Sequence, residues 1–215
     1  MKNRLIQRGT SQAGHLLMLF WILSGIALAQ QAEVSVDENI FPVPVAQTGQ
    51  TNSWSAGDDG SLQWGINWPV PRFTDNQDGT ITDNLTGLIW LKNANCFSEK
   101  TWSESLVVST TLKSGDCGLS DGSKEGDWHL PNILELESLR DINYSLPALP
   151  DTNGSGKWSE GKPFERVQSS YYWSSSTNAG STNYAWYLHL GSGSVFSSAK
   201  NDNCCLVWPV RGGIE

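Results

Sequence analysis

The chain has 215 residues, 14 basic and 22 acidic, with a formal net charge of −8 when its histidines are neutral. That balance excludes a protein built on a general basic surface for nucleic acid, and no Lys/Arg cluster follows Arg8 to supply a local patch. Four cysteines and eleven tryptophans point instead to an aromatic-rich domain with disulfide chemistry.

Residues 1–29 read as a cleavable secretory signal. Lys2, Arg4 and Arg8 open it without an acidic residue, and an apolar run extends from Leu16 to Ala29. Ala27-Leu28-Ala29 ends it in the small-x-small pattern that signal peptidase reads. The run is shorter than the roughly 20 residues of a spanning helix, so the membrane is met only during export. The rival reading is an uncleaved N-terminal anchor. Cleavage leaves 11 basic against 22 acidic residues, a net of −11, and places the protein in the periplasm, at the cell surface or in the medium.

Residues 30–68 read as a loosely structured polar lead-in, broken by Pro42 and Pro44. Trp54, Trp64 and Trp68 interrupt it, and at least one is expected to dock on the domain that follows, residues 69–213. There, Arg72 to Leu91 spells three short strands separated by two turns, Asn76–Gly79 and Asn84–Gly87. Thr101 and Glu104 form a capping box ahead of Leu106, Val107 and Leu112, which predicts a first helix. Ile133, Leu136 and Leu139 predict a second, with Pro131 in its first turn. Residues 141–170 read as one long ordered loop. Four strands follow: Tyr171–Ser174, Tyr184–Leu190, Ser194–Ser198 and Cys205–Val210. In the second of these, Trp186, Leu188 and Leu190 face the core, leaving Tyr187 and His189 outward. The fold class is α+β, with two helices, a mainly antiparallel sheet and long loops.

Cys96, Cys117, Cys204 and Cys205 allow three disulfide connectivities. Adjacent strand residues point to opposite faces, which favours Cys96–Cys117 and leaves Cys204 and Cys205 as a vicinal bridge, reduced, or paired between chains. Adjacent cysteines lack the C-x-x-C spacing of a zinc site, so no metal is expected.

Four blocks in order, Arg72–Phe97, Cys117–Leu139, Tyr171–Leu190 and Val207–Gly213, resemble the bacterial Lcl C-terminal domain, a domain of unknown function named after the end of a collagen-like surface adhesin. The resemblance implies a C-type-lectin-like fold and adhesion or ligand binding at a bacterial surface. It implies no defined chemistry. Two departures stand out, His129 where relatives carry Arg and Cys204-Cys205 in place of a polar or aromatic pair. The named relative's sulfated polysaccharide ligands also fit poorly with a net charge of −11.

Asp75–Gly79 superficially suggests a calcium loop, but Thr74 stands where an EF-hand needs its first carboxylate, and a hairpin turn accounts for the segment better. Asn201, Asp202 and Asn203 resemble the oxygen-rich segment through which lectins hold calcium, although Lys200 replaces the preceding Trp; a solvated loop is the preferred reading and no cofactor is expected. Trp158, on a polar loop, is either a stacking platform or a plug that closes the loop. The expected ligand face is the C-terminal sheet and its loops: Tyr187 and His189 outward, beside Asn201, Asp202 and Asn203, with Trp158 at the rim. No nucleophile elbow is present. The resulting expectation is a non-enzymatic binding module for a glycan or a surface protein. A structural component without a small ligand is the second reading, and an enzyme the third. Oligomeric state is left open.

Overall fold

Hairpin chemistry builds the first sheet of the computed structural model, which describes residues 45–212. The expected secretory signal and its expected cleavage site lie outside the described residues. Strands β1 (Phe73–Asp75), β2 (Thr80–Asp83) and β3 (Leu88–Leu91) pair antiparallel as expected. Gly79 and Gly87 close the two turns at φ of 86° and 72°, a region that costs glycine least. Asp75 Oδ1 accepts the Gln77 N–H at 2.9 Å and Asp78 Oδ1 the Thr80 N–H at 3.0 Å. These carboxylates serve their own turn, and the segment is a hairpin.

Two helices lie where the capping signals place them: α2 (Trp102–Thr110) and α3 (Ile133–Ser138). Thr101 and Glu104 form the first capping box, and Asn132 with Glu135 forms a second that sequence reading passed over. Pro131 therefore precedes the N-cap of α3 and does not sit in its first turn. The apolar stripe expected of α2 is also revised. Its fully buried residues are Ser105 and Ser109, while Val107 is 59 % exposed. Each serine hydroxyl donates to the carbonyl four residues earlier at 2.8 Å. That satisfies the hydroxyl internally and lets a small side chain bring the helix close to its neighbours.

The second sheet is an antiparallel meander, β4 (Tyr171–Thr177), β5 (Tyr184–His189) and β6 (Ser194–Ala199). A strand over Cys205–Val210 does not form as expected. Cys205 and Leu206 make only isolated bridges, and the last strand, β7 (Val210–Gly212), joins the first sheet beside β3. The interrupting Pro209 lacks the N–H a continuous ladder needs.

The larger core lies between the sheets, where Phe73, Ile81, Trp90 and Trp208 meet Tyr172, Leu188, Leu136 of α3 and its C-cap Leu139. A smaller one, around Trp173, Ala185, Cys205 and Val207, occupies the other face of the second sheet and is flanked by α2 residues Trp102 and Leu106. Trp186, expected in the core, is only half-buried. Residues 141–170 hold no regular element; backbone bonds and buried Leu149 and Phe164 fix them instead.

The described part of the lead-in is more ordered than its composition suggests. Asp58 caps a short helix, α1 (Asp59–Leu62), and accepts N–H bonds from Trp54, Ser55 and Ser61. Those bonds, led by that of Trp54, hold its carboxyl down to about 2. Trp68 is the residue that docks. Its indole donates to the Gln47 carbonyl at 2.8 Å, and the Arg72 guanidinium lies 4.4 Å from its ring centre. Trp54 and Trp64 stay 84 % and 77 % exposed.

Candidate functional site

Strand register decides which aromatics share a surface. Tyr171 pairs with His189, and Tyr187 pairs with Trp173 on one side and Phe196 on the other. The period-2 alternation of strands therefore puts Tyr171, Trp173, Tyr187, His189 and Phe196 on one face. At one end of that face, α2 and the 204–207 segment cover Trp173 and Ala185. At the other end the aromatics emerge. Tyr171 is 40 % exposed and Phe196 51 %, and Tyr187 stands at the margin between them, half-buried.

The rings form a continuous ladder. Tyr171 lies edge-on to Tyr187 at 5.2 Å and tilted over His189 at 4.7 Å, and Tyr187 approaches Phe196 at 6.1 Å. Such contacts hold ring orientation before any ligand arrives. Among the described residues, neither the Tyr171 nor the Tyr187 hydroxyl has a partner, whereas His189 Nδ1 is tied to the Ser192 hydroxyl at 2.8 Å. Burial, with smaller contributions from Cys205, Tyr171 and Cys204, pushes the Tyr187 hydroxyl up. It stays protonated at neutral pH and keeps a hydrogen-bond donor beside the rings.

A polar cleft of about 460 Å³ adjoins this patch, lined by Asn95, Ser98, Glu99, Gln168, Ser170 and Asn203. Ser170 leads directly into Tyr171, and the Tyr171 carbonyl accepts the Leu206 N–H at 2.8 Å. Rings and cleft are thus parts of one surface. Asn95 Oδ1 is buried in the cleft wall without a hydrogen-bond partner among the described residues.

Of the six ligand residues expected from sequence, the structure brings some together. Tyr187 and His189 share the ladder, although Tyr187 is also packed on the smaller core and is not freely outward. Asn203 lines the polar cleft. Asp202 accepts from the Ser198 hydroxyl at 2.6 Å on β6, and Asn201 is exposed in the same turn. No group of three His, Cys, Asp or Glu side chains converges on a metal-sized space among the described residues. Trp158 is elsewhere: it packs on the larger core and donates its indole N–H to the Phe164 carbonyl at 3.2 Å. It closes its loop and does not rim the ladder.

Sequence reasoning missed Tyr171, Phe196, Asn95 and Gln168. Phe196 carries a local signal, as the one large aromatic in a run of small residues, Ser194 to Ala199. The other three join the site only through long-range pairing. The expected Cys96–Cys117 disulfide is formed, and Cys204 and Cys205 are free thiols.

The described residues form an α+β module with two antiparallel sheets and a half-open aromatic face. The Lcl C-terminal domain matches residues 79–211, and the chain belongs to that family. No curated protein matches the chain.

Proposed function

We propose that this protein is exported and acts outside the cytoplasm as a binding and adhesion module, with the Tyr171–Tyr187–His189–Phe196 ladder and its adjoining polar cleft as the ligand surface. The observation that carries the reading is two exposed rings, Tyr171 and Phe196, ordered against half-buried Tyr187 and His189 beside a polar cleft. Flat rings stack on the C–H faces of sugars or on a partner's apolar side chains, and neighbouring amides bind hydroxyls or backbone. The Cys96–Cys117 disulfide supports export, because such bonds persist in oxidising compartments. A glycan is the first ligand class and a surface protein the second. Catalysis is not part of this reading: burial pushes both the Cys204 and Cys205 thiols up, so neither offers a thiolate at neutral pH.

A glycan array, followed by a surface-protein pull-down, tests the proposal with two variants. Phe196→Ala and Tyr171→Ala are expected to weaken binding by roughly 1–3 kcal/mol while shifting thermal unfolding little. Tyr187→Ala is the poorer probe, because it also removes packing from the smaller core. Unchanged binding in both exposed-ring variants would refute the assignment. Absence of any ligand would favour a structural role in an extracellular assembly.

A further inference from the structure

A second concavity lies apart from the aromatic sheet face, where the lead-in folds back on the 151–156 loop. It encloses about 230 Å³, less than the several hundred of a drug-sized ligand site, and it suits one compact ring. Its apolar lining is Val70 and Trp68, the latter immobilised by the indole bond to Gln47 and by Arg72 beneath it. Two glycines clamp the edges of that indole. A Cβ on Gly49 would lie 2.8 Å from ring atom Cη2 and 2.4 Å from the Asp141 carboxylate; one on Gly154 would lie 3.1 Å from Cε3 and 2.9 Å from Arg72 Cβ. Both have positive φ, 86° and 76°, so each position is doubly restricted to glycine.

Around the ring, Thr51, Asn67, Asn153 and Ser155 line the space, and their side chains make no hydrogen bond to another described residue. The loop that carries two of them is fixed through its backbone, since Asp151 Oδ1 accepts the N–H groups of Asn153 and Ser155, each at 3.1 Å. The loop backbone is therefore held in place, and the four side chains stay exposed with unused donors and acceptors. The lining contains no Lys, Arg or His, and its one carboxylate, Asp59, is engaged by the Thr48 hydroxyl.

We propose that this cleft binds a single neutral saccharide unit, stacked on Trp68 and hydrogen-bonded by the amides and hydroxyls of Asn67, Asn153, Thr51 and Ser155. An anionic ligand would find no counter-charge, and a cationic one only a carboxylate already in use. An apolar ligand would leave four polar side chains desolvated and unpaired, which is costly. A neutral polyol satisfies both the ring and its rim. Residues 47–70 of this cleft precede the family match at 79–211, while Asn153, Gly154 and Ser155 lie within it; none of them belongs to the sheet surface proposed above.

The test is calorimetric titration of the purified protein with maltose, cellobiose, lactose, chitobiose and a heparin disaccharide, accompanied by NMR of the side-chain amides. At least one neutral disaccharide is expected to bind and to shift the Asn67 and Asn153 amide signals. An Asn67→Ala, Asn153→Ala double variant is expected to bind about tenfold more weakly, and Val107→Ala, an exposed position on α2 outside both sites, to bind as the parent does. The proposal is overturned if no neutral sugar binds, if the double variant binds normally, or if only the heparin disaccharide binds. Loss of sugar binding in Phe196→Ala alone would overturn this site and leave the sheet surface standing.

Discussion

Asp141 is only 1 % exposed, at the loop end where its carboxylate meets Gly49 and the edge of Trp68. Burial pushes its carboxyl up to about 6 from an ordinary 3.8, outweighing the Asn143 N–H bond and the Arg72 charge, and Asp151 adds repulsion. The folded state therefore holds this proton more tightly than the unfolded chain does. Its contribution to stability is full below pH 3.8, declines as pH rises through about 6, and leaves an ionised residue costing at most roughly 3 kcal/mol above that. Asp141→Asn keeps the acceptor for Asn143 and removes the charge. It is expected to stabilise the fold by roughly 1–3 kcal/mol at pH 7.5 and to flatten the slope between pH 4 and 6 in urea unfolding. Lower stability of the variant at pH 7.5 would mean that the Arg72 charge outweighs burial. The neighbouring pair behaves differently. Arg72 and Asp83 are both fully buried and joined by two bonds of 2.8 and 2.9 Å. Asp83→Ala strands the guanidinium, and a loss of about 3–5 kcal/mol is expected in the same assay.

At the scale of elements, the disulfide straddles α2, with Cys96 before it and Cys117 after it at a separation of 21 residues. Closing such a loop restricts the unfolded chain, and the paired change Cys96→Ser, Cys117→Ser is expected to cost roughly 3 kcal/mol. Thermal unfolding with and without reductant measures it: the parent should respond to reductant and the variant should not. This bond, the two hairpin turns and the Thr101–Glu104 cap were legible in sequence because each rests on residues within a few positions of one another or on simple valence. What was not legible depends on distant pairing. Nothing local says that β7 crosses to β3, leaving β4–β5–β6 as a separate sheet. Nor does the sequence announce that α2 buries Ser105 and Ser109 in preference to Val107, since the choice depends on how closely the helix approaches β4. The candidate site divides the same way. Tyr187 and His189 follow from strand alternation. Tyr171 joins them only through the β4–β5 register, and Trp158 could not be placed until its loop was seen to fold onto Phe164.

Over the whole molecule, the cysteines and the first 29 residues bear on one question, the compartment. A formed Cys96–Cys117 bond beside free Cys204 and Cys205 suits an oxidising environment in which burial decides which thiols react. Cys205 is buried and Cys204 partly so, and burial pushes both thiols up, which suppresses the thiolate that disulfide exchange requires. Export would supply that environment. The charged start, the apolar run and Ala27-Leu28-Ala29 are the features that signal peptidase reads. Intact mass of protein recovered outside the cytoplasm tests both halves of the argument. The chain is expected to begin at Gln30 and to weigh two hydrogens less than its all-thiol form, for the single disulfide. Loss of four hydrogens would show that Cys204 and Cys205 also oxidise, and their burial would then not be protective. A mass that retains Met1–Ala29 would make the segment an anchor, and the binding surfaces would be presented from a membrane-tethered chain.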